Sequence, residues 1–119
     1  MDIAPAEIYD LLFRLGVTAN YTGFFQTASA VDLAMRQPER LLLVTKLLYP
    51  AVAKRHRTSW QAVERNIRSV GTIIWRRNRP LLEELARGPL PGKPSAARLV
   101  AILCYSLLSP PSSPPPAAR

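Results

Sequence analysis

The sequence has one cysteine and one histidine among its 119 residues, and both scarcities restrict its possible functions. Cys104 cannot form a disulfide within the chain, and its apolar neighbours predict a buried thiol in a reducing compartment. His56 lies between two arginines, which is more typical of a surface or phosphate-side position than of a catalyst. Metal-ligand spacing, a phosphate-binding glycine loop and a cysteine with a partner base are all missing. We therefore expect no enzyme, no metal site and no cofactor.

Long apolar runs are also missing. The segment 99–108 is too short to span a bilayer, which takes about 20 apolar residues. The N-terminus carries Asp2 and Glu7 and lacks the basic region and apolar core of a secretory signal. These features predict a cytoplasmic protein without a membrane partner.

Acidic residues are scarce and unevenly distributed. The chain has 16 basic and 8 acidic residues, for a formal net charge of +8. Residues 54–79 alone contain eight basic residues and one acid, Glu64, whereas residues 1–53 contain four basic and five acidic residues. The excess positive charge therefore lies in one stretch, which indicates an anionic partner.

Apolar spacing and helix-terminal residues predict an all-α fold, a compact bundle of about six helices within residues 1–108. We expect helices at 4–15, about 21–36, 38–49, 50–57, about 60–77, 80–87 and 95–107. The segment 38–49 is apolar on most sides, which is typical of a central core helix. Residues 109–119 are rich in proline and predict a disordered tail.

The stretch 58–79 organises this arrangement. Its apolar residues recur every three or four positions and form one stripe: Val63, Ile67, Val70 and Ile74. The opposite side collects long polar side chains, with Glu64 at its margin: Gln61, Arg65, Arg68, Thr72 and Arg76. A short helix, a tight connection and this longer basic helix predict a helix-turn-helix at about 50–77.

The side chains on this helix suit double-stranded DNA. Arg65 and Arg68 can each bind the O6 and N7 atoms of guanine in the major groove. Glu64 is suited to accept from a cytosine amino group or, alternatively, to pair with a basic residue on its own face. The residues around the helix start are suited to phosphate contact: Lys54, Arg55, Arg57, Thr58 and Ser59.

The order of residues in 42–75 resembles the C-terminal DNA-binding domain of the stage-zero sporulation protein A family, the master sporulation response regulator of endospore-forming bacteria. A first group of matching residues precedes and opens the helix-turn-helix: Thr45, Lys46, Leu48, Tyr49, Pro50, Ala53 and Lys54. A second group lies on the basic helix: Val63, Glu64, Arg65, Ile67, Arg68 and Trp75. The resemblance extends more weakly over roughly residues 5–108.

The resemblance implies an all-helical effector domain whose helix at about 59–77 enters the major groove. It implies base contacts by Glu64, Arg65 and Arg68, to which we add Gln61 from its place on the same face. Phosphate contacts at the helix start and at a Lys-Pro loop are also implied, and here that loop includes Lys93 and Ser95. Family members bind a box resembling TGTCGAA as adjacent copies. The expected partners are therefore double-stranded DNA and further copies of the same chain on tandem sites. RNA polymerase is a further expected partner.

The sequence departs from the family pattern in several places. We expect no receiver domain, and therefore no phosphorelay control through one. Ala62 replaces an arginine, Trp60 and Gln61 replace smaller residues, and 69–72 differs from the family's His-Ala-Ile-Glu. Gly71 in mid-helix costs about 1 kcal/mol relative to alanine.

Several interpretations stay open at this point. The chain is either a sequence-specific transcription factor or an interaction module that pairs with a full-length regulator or with polymerase. Non-specific nucleic-acid binding would need only the charge. Trp75 is expected in the core, whereas Trp60 packs in the core or lies against the DNA backbone.

Overall fold

The computed structural model describes residues 4–108, and within that range the protein is all-helical without a β-strand. Six α-helices follow one another along the chain: α1 (Ala6–Arg14), α2 (Gly23–Arg36), α3 (Tyr49–His56), α4 (Trp60–Arg77), α5 (Arg79–Ala86) and α6 (Ala96–Leu108). A 3-10 segment (Pro38–Leu42) and a π segment (Val44–Leu48) connect α2 to α3. The predicted fold class is therefore confirmed. The Pro-rich tail predicted at 109–119 lies outside the described residues.

Helix α2 occupies the centre of the bundle. Eleven of its fourteen residues are buried, and it contacts α1, α3, α4 and α6. The sequence of α2 does not indicate this central position, because polar residues such as Gln26 and Asp32 are buried along with the apolar ones. Small side chains, including Ala28, Ala30 and Ala34, are fully buried and let the neighbouring helices approach closely.

The prediction of a central core helix at 38–49 was wrong. Leu43, with φ −143° and ψ 71°, separates the 3-10 segment from the π segment, so no continuous α-helix forms. Leu42 is 80% exposed, and Leu43 and Leu47 are also exposed. The sequence predicted burial because apolar residues lie on most sides of this segment. The centre of the bundle is instead occupied by α2.

The contact between α2 and α4 depends on Gly23. A Cβ atom at this position would lie 2.7 Å from Cγ2 of Val70 and closer still to the carbonyl oxygen of Asn66. Three positions along α2, Gln26 accepts a hydrogen bond of 3.0 Å from the Asn66 amide. The side-chain pair and the missing Cβ together fix α4 against α2.

Asn78 ties the far end of α4 to two other helices. Its side-chain oxygen caps α5 by accepting from the Leu81 N–H at 3.3 Å. Its amide nitrogen donates to the carbonyl oxygen of Arg14 at 2.8 Å, at the end of α1. Because α5 begins where α4 ends, this one residue joins the ends of α1, α4 and α5.

Replacing Gly23 with alanine is expected to lower the free energy of unfolding by about 1–3 kcal/mol, because the new methyl group overpacks the α2–α4 contact. Urea denaturation followed by far-UV circular dichroism measures this.

Gly71→Ala is the matched control, because a Cβ there would meet Leu99 at an ordinary 3.5 Å. It removes a mid-helix glycine and is expected to raise the free energy of unfolding by about 0.5–1 kcal/mol. Equal effects of the two substitutions would contradict this account of the α2–α4 contact.

Candidate nucleic-acid interface

Helices α3 and α4 pack against each other across the short connection 57–59. Arg57 ends α3 in the left-handed conformation, with φ 54°, and the Thr58 N–H donates to the Ala53 carbonyl at 3.0 Å. The Ser59 side chain then caps α4 by accepting from the Ala62 N–H at 3.1 Å. Both helix ends at the turn are satisfied by local hydrogen bonds, as the predicted helix-turn-helix requires.

Helix α4 has one buried and one exposed face, as its sequence predicted. The buried face consists of Val63, Ile67, Val70, Gly71 and Ile74. On the other face Gln61, Arg65 and Arg68 are exposed, whereas Glu64 is half-buried. The helix therefore presents the residues predicted to contact bases on a surface that a ligand can reach.

Two of the four residues predicted to contact bases are already paired. The Arg68 guanidinium lies 3.5 Å from a carboxylate oxygen of Glu64, one turn earlier on the helix. The Arg68 side chain is 53% exposed, so this pair is held weakly and can be exchanged for another partner. In the free protein Glu64 therefore pairs with a basic residue on its own face, which is the alternative that the sequence left open.

Tyr49, on α3, lies within the electrostatic influence of the same carboxylate. It is almost fully buried, and burial raises the pKa of its phenol to about 12, with a further rise from the negative charge of Glu64. The phenol therefore stays protonated over the physiological pH range.

Arg55 points towards α2. Its guanidinium lies 3.6 Å from the carboxylate of Asp32, and only 20% of its side chain is exposed. Asp32 is buried and also accepts from the Nε of Arg36 at 3.1 Å. Arg55 therefore helps hold α3 on α2, and its contact with phosphate stays a prediction.

The other residues predicted to contact phosphate are exposed, and they fall into two groups. One group surrounds the turn: Lys54, Arg57, Thr58 and Ser59. The other lies before α6, where Lys93 donates to the Thr72 hydroxyl at 2.7 Å and Ser95 accepts from the Arg98 N–H at 3.2 Å. The contact between Lys93 and Thr72 holds the loop at 88–95 against α4.

The two tryptophans differ in their surroundings. Trp75 is half-buried against the core, and the Arg79 guanidinium lies 4.2 Å from its ring centroid. Trp60 is 37% exposed at the first position of α4. Trp60 therefore leaves part of its ring accessible beside the residues at the turn.

Sequence reasoning missed two residues that shape this surface. Asp32 is the buried partner of Arg55, and its only sequence signal was an Arg four positions later on the same helix. Thr72 was placed on the exposed face of α4 but not among the site residues, because its partner Lys93 is distant in sequence. Both are paired across helices or loops that no local spacing connects.

Residues 4–108 contain no cluster of histidine, cysteine, aspartate and glutamate that could hold a metal ion. Over the same part of the chain, every helix is too short or too polar to cross a membrane.

The structure predicts a pH dependence through His56, at the end of α3. Its Nε2 lies 2.8 Å from the Ser29 hydroxyl, and burial lowers the pKa of the imidazole below 6.5, with a further lowering by Arg55. The unfolded chain then binds a proton more readily than the folded one. The contribution of His56 to stability is therefore complete above about pH 6.5 and declines as the pH falls towards the folded-state pKa.

Urea unfolding at several pH values between about 5 and 8 tests this with the variant His56→Gln, which keeps a group able to bond Ser29. The difference in unfolding free energy between the two proteins should shrink as the pH falls. A difference that grows towards acid would mean that the folded protein prefers the charged imidazole.

The chain matches the family model described as Sporulation initiation factor Spo0A C terminal over residues 8–107. The match covers nearly the whole chain and includes α3, α4 and the loop before α6. The family is a DNA-binding regulatory domain of a sporulation regulator, not an enzyme family. The chain therefore belongs to the family of Spo0A C-terminal domains, in agreement with the resemblance seen in the sequence.

Proposed function

We propose that the protein is a transcription factor that binds double-stranded DNA sequence-specifically, with α4 in the major groove. The observation that carries this proposal is the exposed face of α4, where Gln61, Arg65 and Arg68 lie opposite the buried stripe. A helix is the element that fits the width of the major groove, and its side chains then reach base edges. This role places the protein in the cytoplasm, associated with the nucleoid.

Base reading is assigned to four residues: Gln61, Glu64, Arg65 and Arg68. In the free protein Glu64 faces Arg68, so Arg68 starts from an ion pair. Arg68 would exchange a weak pair at 3.5 Å for guanine atoms, leaving Glu64 to accept from a cytosine amino group. A bidentate arginine–guanine pair contributes about 1–3 kcal/mol of discrimination.

Phosphate contact is assigned to residues on both sides of α4. Those at its start are Lys54, Arg55, Arg57, Thr58 and Ser59, and those in the loop before α6 are Lys93 and Ser95. Phosphate contacts fix the register of a recognition helix without reading sequence. Two groups at separate ends of the exposed face would hold the helix against both walls of the groove.

A second candidate is an interaction module that pairs with a full-length regulator or with RNA polymerase. The observation that favours it is the exposed apolar surface of Leu42, Leu43 and Leu47. Neighbouring exposed leucines are a feature of protein interaction surfaces. The two functions are compatible, since this surface and the exposed face of α4 involve different residues.

Fluorescence anisotropy on a duplex with two boxes resembling TGTCGAA, compared with a scrambled duplex, tests the main proposal. We expect a preference of about a hundredfold that persists when the salt concentration is raised. Arg65→Ala should lose about tenfold or more of this preference, because it removes a base contact.

The matched control is Arg14→Ala, which removes the same charge from α1, outside the helix-turn-helix. It should weaken binding to both duplexes slightly and equally. Equal binding of the unmodified protein to both duplexes, falling steeply with salt, would reduce the function to electrostatic contact and favour the interaction module.

A further inference from the structure

Thr72 and Lys93 join the exposed face of α4 to the loop before α6. The Lys93 ammonium donates to the Thr72 Oγ1 at 2.7 Å, and the same hydroxyl donates to the carbonyl oxygen of Arg68 at 3.3 Å. The hydroxyl hydrogen is therefore directed at the helix backbone. A lone pair of the oxygen is left facing the ammonium.

The loop that carries Lys93 is fixed at both ends. On one side, the Leu90 N–H donates to a carboxylate oxygen of Glu83 at 2.7 Å, and Arg79 donates to the Leu90 carbonyl at 3.3 Å. On the other side, Ser95 caps α6. A lysine on this anchored loop still has a long, flexible side chain, and the contact with Thr72 restricts where its charge lies.

A hydroxyl suits this role because it is neutral. A carboxylate at the same position would hold the ammonium but cancel its charge. Thr72 accepts only one of the three ammonium hydrogens, so Lys93 keeps its full charge and two donors for another partner. Lys93 is exposed, so a phosphate can reach it.

The position of Thr72 places this charge in line with the arginines. Thr72 follows Arg68 by four residues and Arg65 by seven, so all three lie on one face of α4. We propose that Thr72 is a positioning residue, which holds the Lys93 ammonium against α4 so that it meets a DNA phosphate next to the bases read by Arg68. This inference rests on the proposed function, since it needs α4 to lie on DNA.

Salt-dependent binding to the two-box duplex provides the test. Lys93→Gln should reduce the slope of log K against log salt by about 0.9, the value for one phosphate contact. Thr72→Val keeps the shape of the side chain and removes the hydroxyl. It should weaken binding about three- to fivefold when Lys93 is present and by less than about 1.5-fold in the Lys93→Gln background.

Two further variants make the test specific. Thr72→Ser restores the hydroxyl and should recover most of the affinity lost in Thr72→Val. Lys54→Gln removes the same charge at the start of the motif, and here the effect of Thr72→Val should stay at its full three- to fivefold. Coupling to Lys93 but not to Lys54 is the result that a general loss of helix stability would not give.

Other outcomes overturn the inference. If Thr72→Val weakens binding equally with and without Lys93, Thr72 acts by itself and does not position the ammonium. If Thr72→Val has no effect, the contact has no role in binding. If the unmodified protein shows no salt-dependent binding to duplex DNA, the proposed function fails, and the role of Thr72 fails with it. The unmodified protein alone distinguishes this result from the first two.

Discussion

The backbone of α2 approaches α4 so closely at Gly23 that a Cβ atom would lie within 2.7 Å of the Val70 side chain. This approach is possible because α2 contains many small residues and because three of its polar side chains find partners on α3 and α4. Gln26 bonds Asn66, Ser29 bonds His56 and Asp32 pairs with Arg55. Each of these bonds joins the central helix to the helix-turn-helix, so the orientation of α4 depends on them.

The cations of the basic stretch 54–79 fall into two groups. Some are paired within the protein: Arg55 with Asp32, and Arg79 with Glu83 and the Trp75 ring. Others, such as Arg65 and Arg76, are exposed on α4. The net charge of the stretch therefore overstates the number of cations available to a ligand. A buried carboxylate such as Asp32 needs a charged partner, and this requirement explains why one arginine of the motif faces inwards.

A fold with only helical elements was predictable because apolar residues at intervals of three and four leave one interpretation for α1, α4, α5 and α6. The stripe on α4 was confirmed residue by residue. The helix at 38–49 was wrong, since its leucines satisfy no single face and the chain breaks at Leu43. The ends of α3 and α5 carried no glycine signal at the positions that adopt the left-handed conformation, Arg57 and Arg87.

By itself the sequence determined the helical class, the exposed row on α4, the position of the turn before it and the family of DNA-binding domains to which the chain belongs. The first three features depend on residues within about two turns of one another, where spacing alone fixes which side chains share a face, and the family follows from the order of residues over 42–75. Tertiary structure decided that α2 is central, that Arg55 faces Asp32 and that Lys93 meets Thr72. Such pairs lie 20 or more positions apart, and their contact depends on how helices pack, which no local pattern records.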